Sequence, residues 1–525
     1  MNKIKKSDAT KALLAFVFIA LIFIPLINMF MYMDKESINK VVSSAVFGTA
    51  IKNSLISTIV STVITVVLAF ALAMSIERSS IKFKKIFSVM FALPMLVPSI
   101  SIGMGLTILF GNNGILTKLF GVEQGIYGFW GIVMGSVLYA FPVAFLMLSD
   151  IIRYEDSLPY EAAKVLGLSK FRQFTAIMFP YLKKPLITVI FATFTLIVTD
   201  YGVPLMIGGK YTTIPVVMYQ EVIGQLDFGK GSVYGSLLLI PAIIAFILDV
   251  LNREKNTNSF VSKRYIPSNR LLNRILAYIV CCLGTMFTLL PILSFVLLSF
   301  AKDYPNNMTV SLDNIEKTMK LHAGEYLINS IVIALLVSFV GIVVAFFTAY
   351  LSARMKSKMS KFLHLSAMIS AAIPGLVLGL SYVITFKRSP MYGTIIILIM
   401  VNLVHFISSP YLMMYNSLSK ANGNLEDVGH TMGISRAYMI KDVFIPMTKN
   451  TIIEMFSYFF VNCMMTISAV SFLANTSNKP ISLMINQFEA QMQLESAAVV
   501  SLMILMINLI IKGVFHFIKR EKHVC

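Results

Sequence analysis

Asp200, Glu454 and His405 are the side chains set inside long apolar runs of this sequence that could carry chemistry. An acid within a bilayer is costly where it faces lipid, so Asp200, with Tyr201 beside it, is expected to face a translocation pathway or a hydrogen-bonding partner. Gly202 and Pro204 follow at once, and an unwound segment ending a broken helix would give the carboxylate a purely structural role. Glu454 stands a few residues above Lys449 and can reach back to the membrane surface. His405, with Asn402 about a turn earlier, reads as one end of an interhelical hydrogen bond. An intramembrane enzyme needs reactive groups converging in one cavity, whereas these three lie at different depths in different runs. Catalysis by this chain is not expected.

Two further patterns invite chemistry and fail on their context. Gly224-Gln225-Leu226-Asp227-Phe228-Gly229-Lys230 has the spacing of a phosphate-binding loop, but Gly231 stands where the magnesium-binding hydroxyl is needed, and no strand precedes it. Any ATP used must then belong to another chain. Cys281, Cys282 and Cys463 fall in apolar runs and Cys525 is the last residue, which gives neither metal-ligand spacing nor a disulfide framework. No metal or cofactor is expected on this chain.

The elements that must position these groups are membrane helices. Of 525 residues, 57% are hydrophobic and 13% charged, where a soluble domain carries about 25% charged residues to cover its surface. Runs long enough to cross a bilayer recur near residues 12–33, 53–76, 86–110, 127–149, 184–206, 231–250, 272–300, 327–352, 362–386, 393–416, 450–473 and 495–517. That predicts about twelve spans. The runs are continuous rather than alternating, so they predict an all-α polytopic protein and not a barrel. The first run is too long for a signal peptide and lacks a small-residue cleavage site, and is expected to stay as span one. A net charge of +19 would suggest nucleic acid if it sat on one polar domain, and no stretch forms such a domain. Sorted by loop, 32 Lys and Arg fall on the side of the termini and 12 on the other. Basic residues near span ends are held on the cytoplasmic side, which predicts cytoplasmic termini.

The twelve spans divide into two copies of one unit. Asn53-Ser54 and Asn329-Ser330 are 276 positions apart, as are Pro98 with Gly103 and Pro374 with Gly379. Tyr127-Gly128 matches Tyr392-Gly393 at 265, and Gly167 with Pro180 matches Gly433 with Pro446 at 266. The offset changes in the outer loop near residues 111–126, where length varies freely. Six spans per unit make the copies parallel rather than inverted. The predicted organisation is a first unit over residues 1–251, a polar basic linker over 252–270 acting as a plain tether, and a second unit over 271–525.

The inner loops between spans four and five and between spans ten and eleven are long and alike. The first carries Glu161-Ala162-Ala163, Gly167, Ile177 and Pro180; the second carries Asp427-Val428-Gly429, Gly433, Val443 and Pro446 at the same spacing. Ala162 and Ala163 would give a short helix a close-approach face, Gly167 would cap and turn it, and Pro180 would restart the chain towards span five. A surface-lying amphipathic helix is the plain alternative. These residues resemble the EAA loop of the membrane subunits of ABC importers, the binding-protein-dependent permeases. Thr199-Asp200-Tyr201-Gly202-Val203-Pro204, Ile207-Gly208-Gly209 and the run from Gln225 to Gly231 resemble the ferric-iron and 2-aminoethylphosphonate branch, which often fuses two six-span units. The second unit departs from it, because Thr466-Ile467-Ser468-Ala469-Val470 has no acid matching Asp200.

The resemblance implies a type I importer permease fold and a transport subunit that forms the whole pore. It implies two copies of a cytosolic ABC ATPase, holding ATP and magnesium, docked on the two loops. It also implies an extracytoplasmic binding protein delivering a small solute, either ferric iron or a phosphonate such as 2-aminoethylphosphonate. Span count alone would also fit a twelve-span ion-coupled secondary transporter, which needs ionisable groups within its spans.

Overall fold

The computed structural model describes residues 2–121, 125–252, 265, 267 and 269–520. Most of the expected linker, and Cys525, lie outside the described residues. Among the described residues the regular structure is helical apart from one antiparallel hairpin, Ala301–Asp303 against Asn307–Val310, which pairs Ala301 with Val310 after span seven. Nine helices are long and apolar enough to cross a membrane, and two sharply bent pairs bring the number to eleven among the described residues.

The shortfall from twelve lies in span eleven. Its apolar run reads as continuous over 450–473, but the helix Lys449–Met465 has 17 residues and stops at Thr466. Beyond it the chain turns against span nine, where a Cβ on Gly379 would lie 2.7 Å from the Ala469 carbonyl. Span five behaves alike. Instead of one helix over 184–206, Phe179–Val198 ends before Asp200 and Gly202–Ile207 is a separate short helix. That short helix packs on Gly103, whose Cβ would lie 2.8 Å from Met206 Cβ. Hydropathy cannot see either break, because the turned segments are as apolar as the helices they follow.

Spans three and nine are also broken, each at its proline. Proline disfavours the helical conformation in the residue before it, and Val97 and Ile373 are accordingly extended. New helices begin at Ser99–Phe110 and Gly375–Phe386, the second bent by 101° from Lys358–Ala372. A further bend of 51° divides span ten into Ile395–Phe406 and Ser408–Ser419.

The two units exchange their first spans. Span one (Asn2–Met31) lies on span nine, with Asn28 Nδ2 donating to Thr385 Oγ1 at 3.1 Å and the Tyr382 hydroxyl to the Leu21 carbonyl at 2.9 Å. Span seven (Leu271–Phe300) lies reciprocally on spans two and three, where Gly284 meets Leu72 and Gly105 meets Pro291. Lys11 Nζ donates to the Met355 carbonyl at 2.6 Å, and Lys519 pairs with Glu454 at 2.6 Å. Arg354, beside Met355, holds Glu426. Both described ends of the chain therefore share one end of the bundle with the second long loop.

Candidate functional site

The broken segments of both units meet around a cavity of about 440 Å³. Its lining draws on both units at repeat-equivalent positions. Pro98 and Ser99 answer to Pro374 and Gly375 at the offset of 276, and Asp200 answers to Thr466 at 266. At the same offset of 266 Tyr139 answers to His405. The positions repeat but the chemistry does not. Asp249 of span six adds a second carboxylate, and among the described residues neither Lys nor Arg lines the cavity.

Asp200 takes the hydrogen-bonding role at the end of a broken helix, and it also borders the cavity. Its carboxylate accepts from Ser99 Oγ at 2.5 Å, Gly202 N at 3.3 Å and Val203 N at 3.0 Å. It thus holds the first turn of Gly202–Ile207, whose N–H groups lack intrahelical acceptors. Tyr201 is not among the lining residues. Its ring is buried and stacks on Tyr219 at 4.8 Å, and its hydroxyl lies 2.8 Å from Ser471 Oγ of the other unit. Tyr219 in turn stacks on Phe472 at 6.2 Å and accepts from Asn486 Nδ2 at 2.6 Å, so the stack bridges the two units.

His405 corrects the expectation from sequence. The anticipated interhelical bond is not made by Nδ1, which has no hydrogen-bond partner among the described residues, and the ring lines the same cavity as Asp200. The two groups therefore do converge. Asn402 donates within its own helix, to the Leu398 carbonyl. Glu454 stays apart from the cavity, paired with Lys519 as its place near the helix start implied. In the Gly224 to Lys230 segment a helix, not a strand, comes first, and Lys230 is held by Glu221 at 3.1 Å.

The two long loops are built alike. Glu161, Ala162 and Ala163 lie on the helix Leu158–Val165, and Asp427, Val428 and Gly429 on Leu425–Thr431. Each helix ends in a glycine with positive φ, +69° at Gly167 and +70° at Gly433. Leu168 N bonds back to Ala163 O at 2.9 Å and Ile434 N to Gly429 O at 2.8 Å, the six-to-one closure of a Schellman turn. A second helix starts after Ser169 or Ser435 and widens into π turns at Phe174–Met178 and Ile440–Phe444. Pro180 and Pro446 account for the widening. Neither can donate to the carbonyl four residues back, and the residue before each bonds five back instead, Phe179 to Phe174 and Ile445 to Ile440. Pro180 therefore sits inside a continuous helix running from Lys170 to Val198 rather than at a restart.

Small residues serve this fold from the inside. Ala163 and Gly429 are buried, and a Cβ on Gly429 would lie 2.7 Å from Met439 Sδ of the following helix. Ala162 and Val428 face outward. Ile177 and Val443 are half-buried anchors against the core. The outward surface is apolar: Val165 is 89% exposed, Leu166 and Phe171 nearly as much, and Met432 and Tyr438 match them on the second loop. Such apolar surface beside charged residues marks an interaction site.

Sequence reasoning passed over Arg78 and Arg354, each of which grips the long loop of its own unit through an acid, Glu155 or Glu426. Burial pushes the Glu155 carboxyl above its ordinary range, while the Tyr160 hydroxyl and Arg78 pull it back. The signal was present, because the two arginines stand 276 apart, the offset of Asn53 and Asn329.

Comparison with known proteins gives this architecture a family. The profile of the binding-protein-dependent transport system inner membrane component matches residues 65–253 and again 341–523. The chain is similar to ferric transport system permease protein FbpB 1 of Haemophilus influenzae, 27% identical over 417 residues, covering 75% of this chain and 65% of that one. It is similarly related to FbpB of Actinobacillus pleuropneumoniae, 27% over 418 residues, with 75% and 60% covered. The thiamine transport system permease protein ThiP of Brucella abortus is 28% identical over 228 residues, 41% of either chain. This chain spans less than two thirds of the length of the two ferric relatives. With its profile matched twice, across both loops and both walls of the cavity, the chain belongs to the binding-protein-dependent transport system inner membrane component family.

Proposed function

We propose that this chain is the whole pore of an ABC importer, with units over residues 1–251 and 271–525 tethered by 252–270. Two copies of a separate cytosolic ATPase dock on the loops Glu161 to Pro180 and Asp427 to Pro446, and hold the ATP and magnesium that this chain does not bind. Both termini are cytoplasmic, and an extracytoplasmic binding protein delivers cargo to the opposite face. The observation that carries this reading is the pair of matched helix–turn–helix loops, each presenting unpartnered apolar side chains. The basic bias on the side of the termini supports a cytoplasmic position.

The cargo is ferric iron rather than a phosphonate. Asp200 lines the cavity together with Asp249, and among the described residues neither Lys nor Arg does; a cleft lined by acids draws cations rather than anions. The ferric relatives point the same way. The test is uptake by proteoliposomes holding the chain, its ATPase and its binding protein. Ferric uptake should require ATP and persist when ion gradients are collapsed. Uptake driven by a gradient without ATP would favour an ion-coupled carrier, and ATP-driven uptake of 2-aminoethylphosphonate alone would overturn the cargo assignment. Val165→Asp with Phe171→Asp should abolish copurification of the ATPase.

A further inference from the structure

Arg78 closes span two (Ala45–Arg78) and Arg354 caps span eight (Ala323–Ala353). Each reaches sideways to the long loop of its own unit. Arg354 grips Glu426 with a fork, Nε to Oε1 at 2.7 Å and Nη2 to Oε2 at 2.5 Å. It also donates to the carbonyls of Ala421 at 2.8 Å and Asn422 at 2.7 Å, and its side chain is 5% exposed. Arg78 pairs with Glu155, which accepts from the Tyr160 hydroxyl at 2.6 Å, and Tyr160 stands on the loop helix itself. The guanidinium is covered by Tyr265, whose ring centre lies 3.7 Å away.

The acids, unlike the arginines, are not repeat-equivalent. At the loop offset of 266, Glu155 falls on Ala421 and Glu426 falls on Tyr160. One unit anchors its arginine before the loop helix and the other within its first turn. The arginine and the attachment are common to both units, while the means of attachment differs. This is how a required mechanical link would look after the two halves diverged. We propose that Arg78 and Arg354 are positioning residues that carry loop movement into spans two and eight, a proposal resting on the loops being the ATPase docking elements.

The rest of the structure suits that role. Spans two and eight have 34 and 31 residues, which at 1.5 Å per residue makes each a rod of roughly 50 Å. Span eight carries Gly341 closely against Phe459 of span eleven, the helix that brings Tyr458 and Asn462 to the cavity. A displacement at the arginine is thereby delivered to the cavity wall. Lysine could not reproduce the planar fork that fixes direction as well as distance.

The test uses the full chain with its ATPase in proteoliposomes and a cargo-independent readout. Thr195→Cys places a thiol on the cavity wall, and its labelling by a maleimide, read at residue 195 by mass spectrometry, reports ATP-driven change. In the otherwise unaltered chain ATP should change the labelling rate about fivefold or more, the lower range of an allosteric coupling. Arg78→Ala and Arg354→Ala should still copurify the ATPase and hydrolyse ATP, while the ATP-dependent change falls to below about twofold. Arg354→Lys should lie between. If either alanine variant fails to fold, Glu155→Gln and Glu426→Gln are nearly isosteric and carry the same expectation. Retention of the full ATP-dependent change in these variants would overturn the proposal, as would a loss that merely tracks loss of copurified ATPase. If the unaltered chain captures no ATPase, the docking reading fails instead, whatever the arginines do.

Discussion

Asp200 shows why a buried acid in a membrane helix resists a single explanation. Its carboxylate secures the turn into Gly202–Ile207 and lines the cavity as well. Charge and capping can be separated, because asparagine caps about as well as aspartate while alanine costs about 1 kcal/mol. Asp200→Asn should therefore melt within about 1 kcal/mol of the parent in detergent, yet lose tenfold or more of ATP-driven ferric uptake, about 1.4 kcal/mol or more of interaction. Asp200→Ala should lose both. Uptake by Asp200→Asn at the parent rate would leave the acid with its structural role alone. Sequence located Asp200 because an acid in an apolar run is conspicuous. It could not locate Ser99 or pair His405 with the cavity, since a serine in a span is unremarkable and convergence depends on breaks that hydropathy does not register.

Among the elements, the short loop helices and the broken spans were legible to different degrees. The Schellman turns were readable in advance, since glycine is the residue that meets no penalty at positive φ. Nothing lies within 4 Å of a Cβ on Gly167 or Gly433, so substitution there is a matter of backbone strain alone. Gly433→Ala should cost about 1 kcal/mol and, by loosening the turn, weaken ATPase copurification without affecting the span packing. The breaks at Pro98 and Pro374 were visible only as landmarks of the repeat. Their geometry follows from close approach: Gly379 meets the Ala469 carbonyl, which is backbone and cannot swing away. Gly379→Ala should destabilise by about 1–3 kcal/mol, the usual range for overpacking, measured as thermal unfolding in detergent. Gly513→Ala in span twelve, with open space around it, should be neutral or slightly stabilising. Equal melting of the two variants would show that the contact at Gly379 relaxes freely.

At the scale of the whole molecule, the exchanged first spans make the two units one body, and Lys11 is where that exchange is fastened. Its ammonium, 1% exposed as a residue, donates to Asp8 at 3.1 Å, the Met355 carbonyl at 2.6 Å and Ser357 Oγ at 3.0 Å. Met355 follows Arg354 directly, so span one of the first unit is tied beside the arginine that holds the loop of the second. From sequence, Lys11 is one of 32 basic residues whose common effect is orientation, and a charge count cannot distinguish a topological charge from a packed one. Lys356, exposed in the same turn, carries the same charge with none of this burial. Lys11→Met and Lys356→Met remove one positive charge each from the same end, so any effect on orientation should be the same and small. Their stabilities should differ. Lys11→Met leaves buried acceptors without a donor, worth about 1–3 kcal/mol, whereas Lys356→Met should stay within about 0.5 kcal/mol of the parent. Protease accessibility of terminal tags would check orientation and thermal unfolding would check packing. Equal melting of the two variants would mean that Lys11, despite its burial, acts on topology alone and that the units are held together by their apolar contacts.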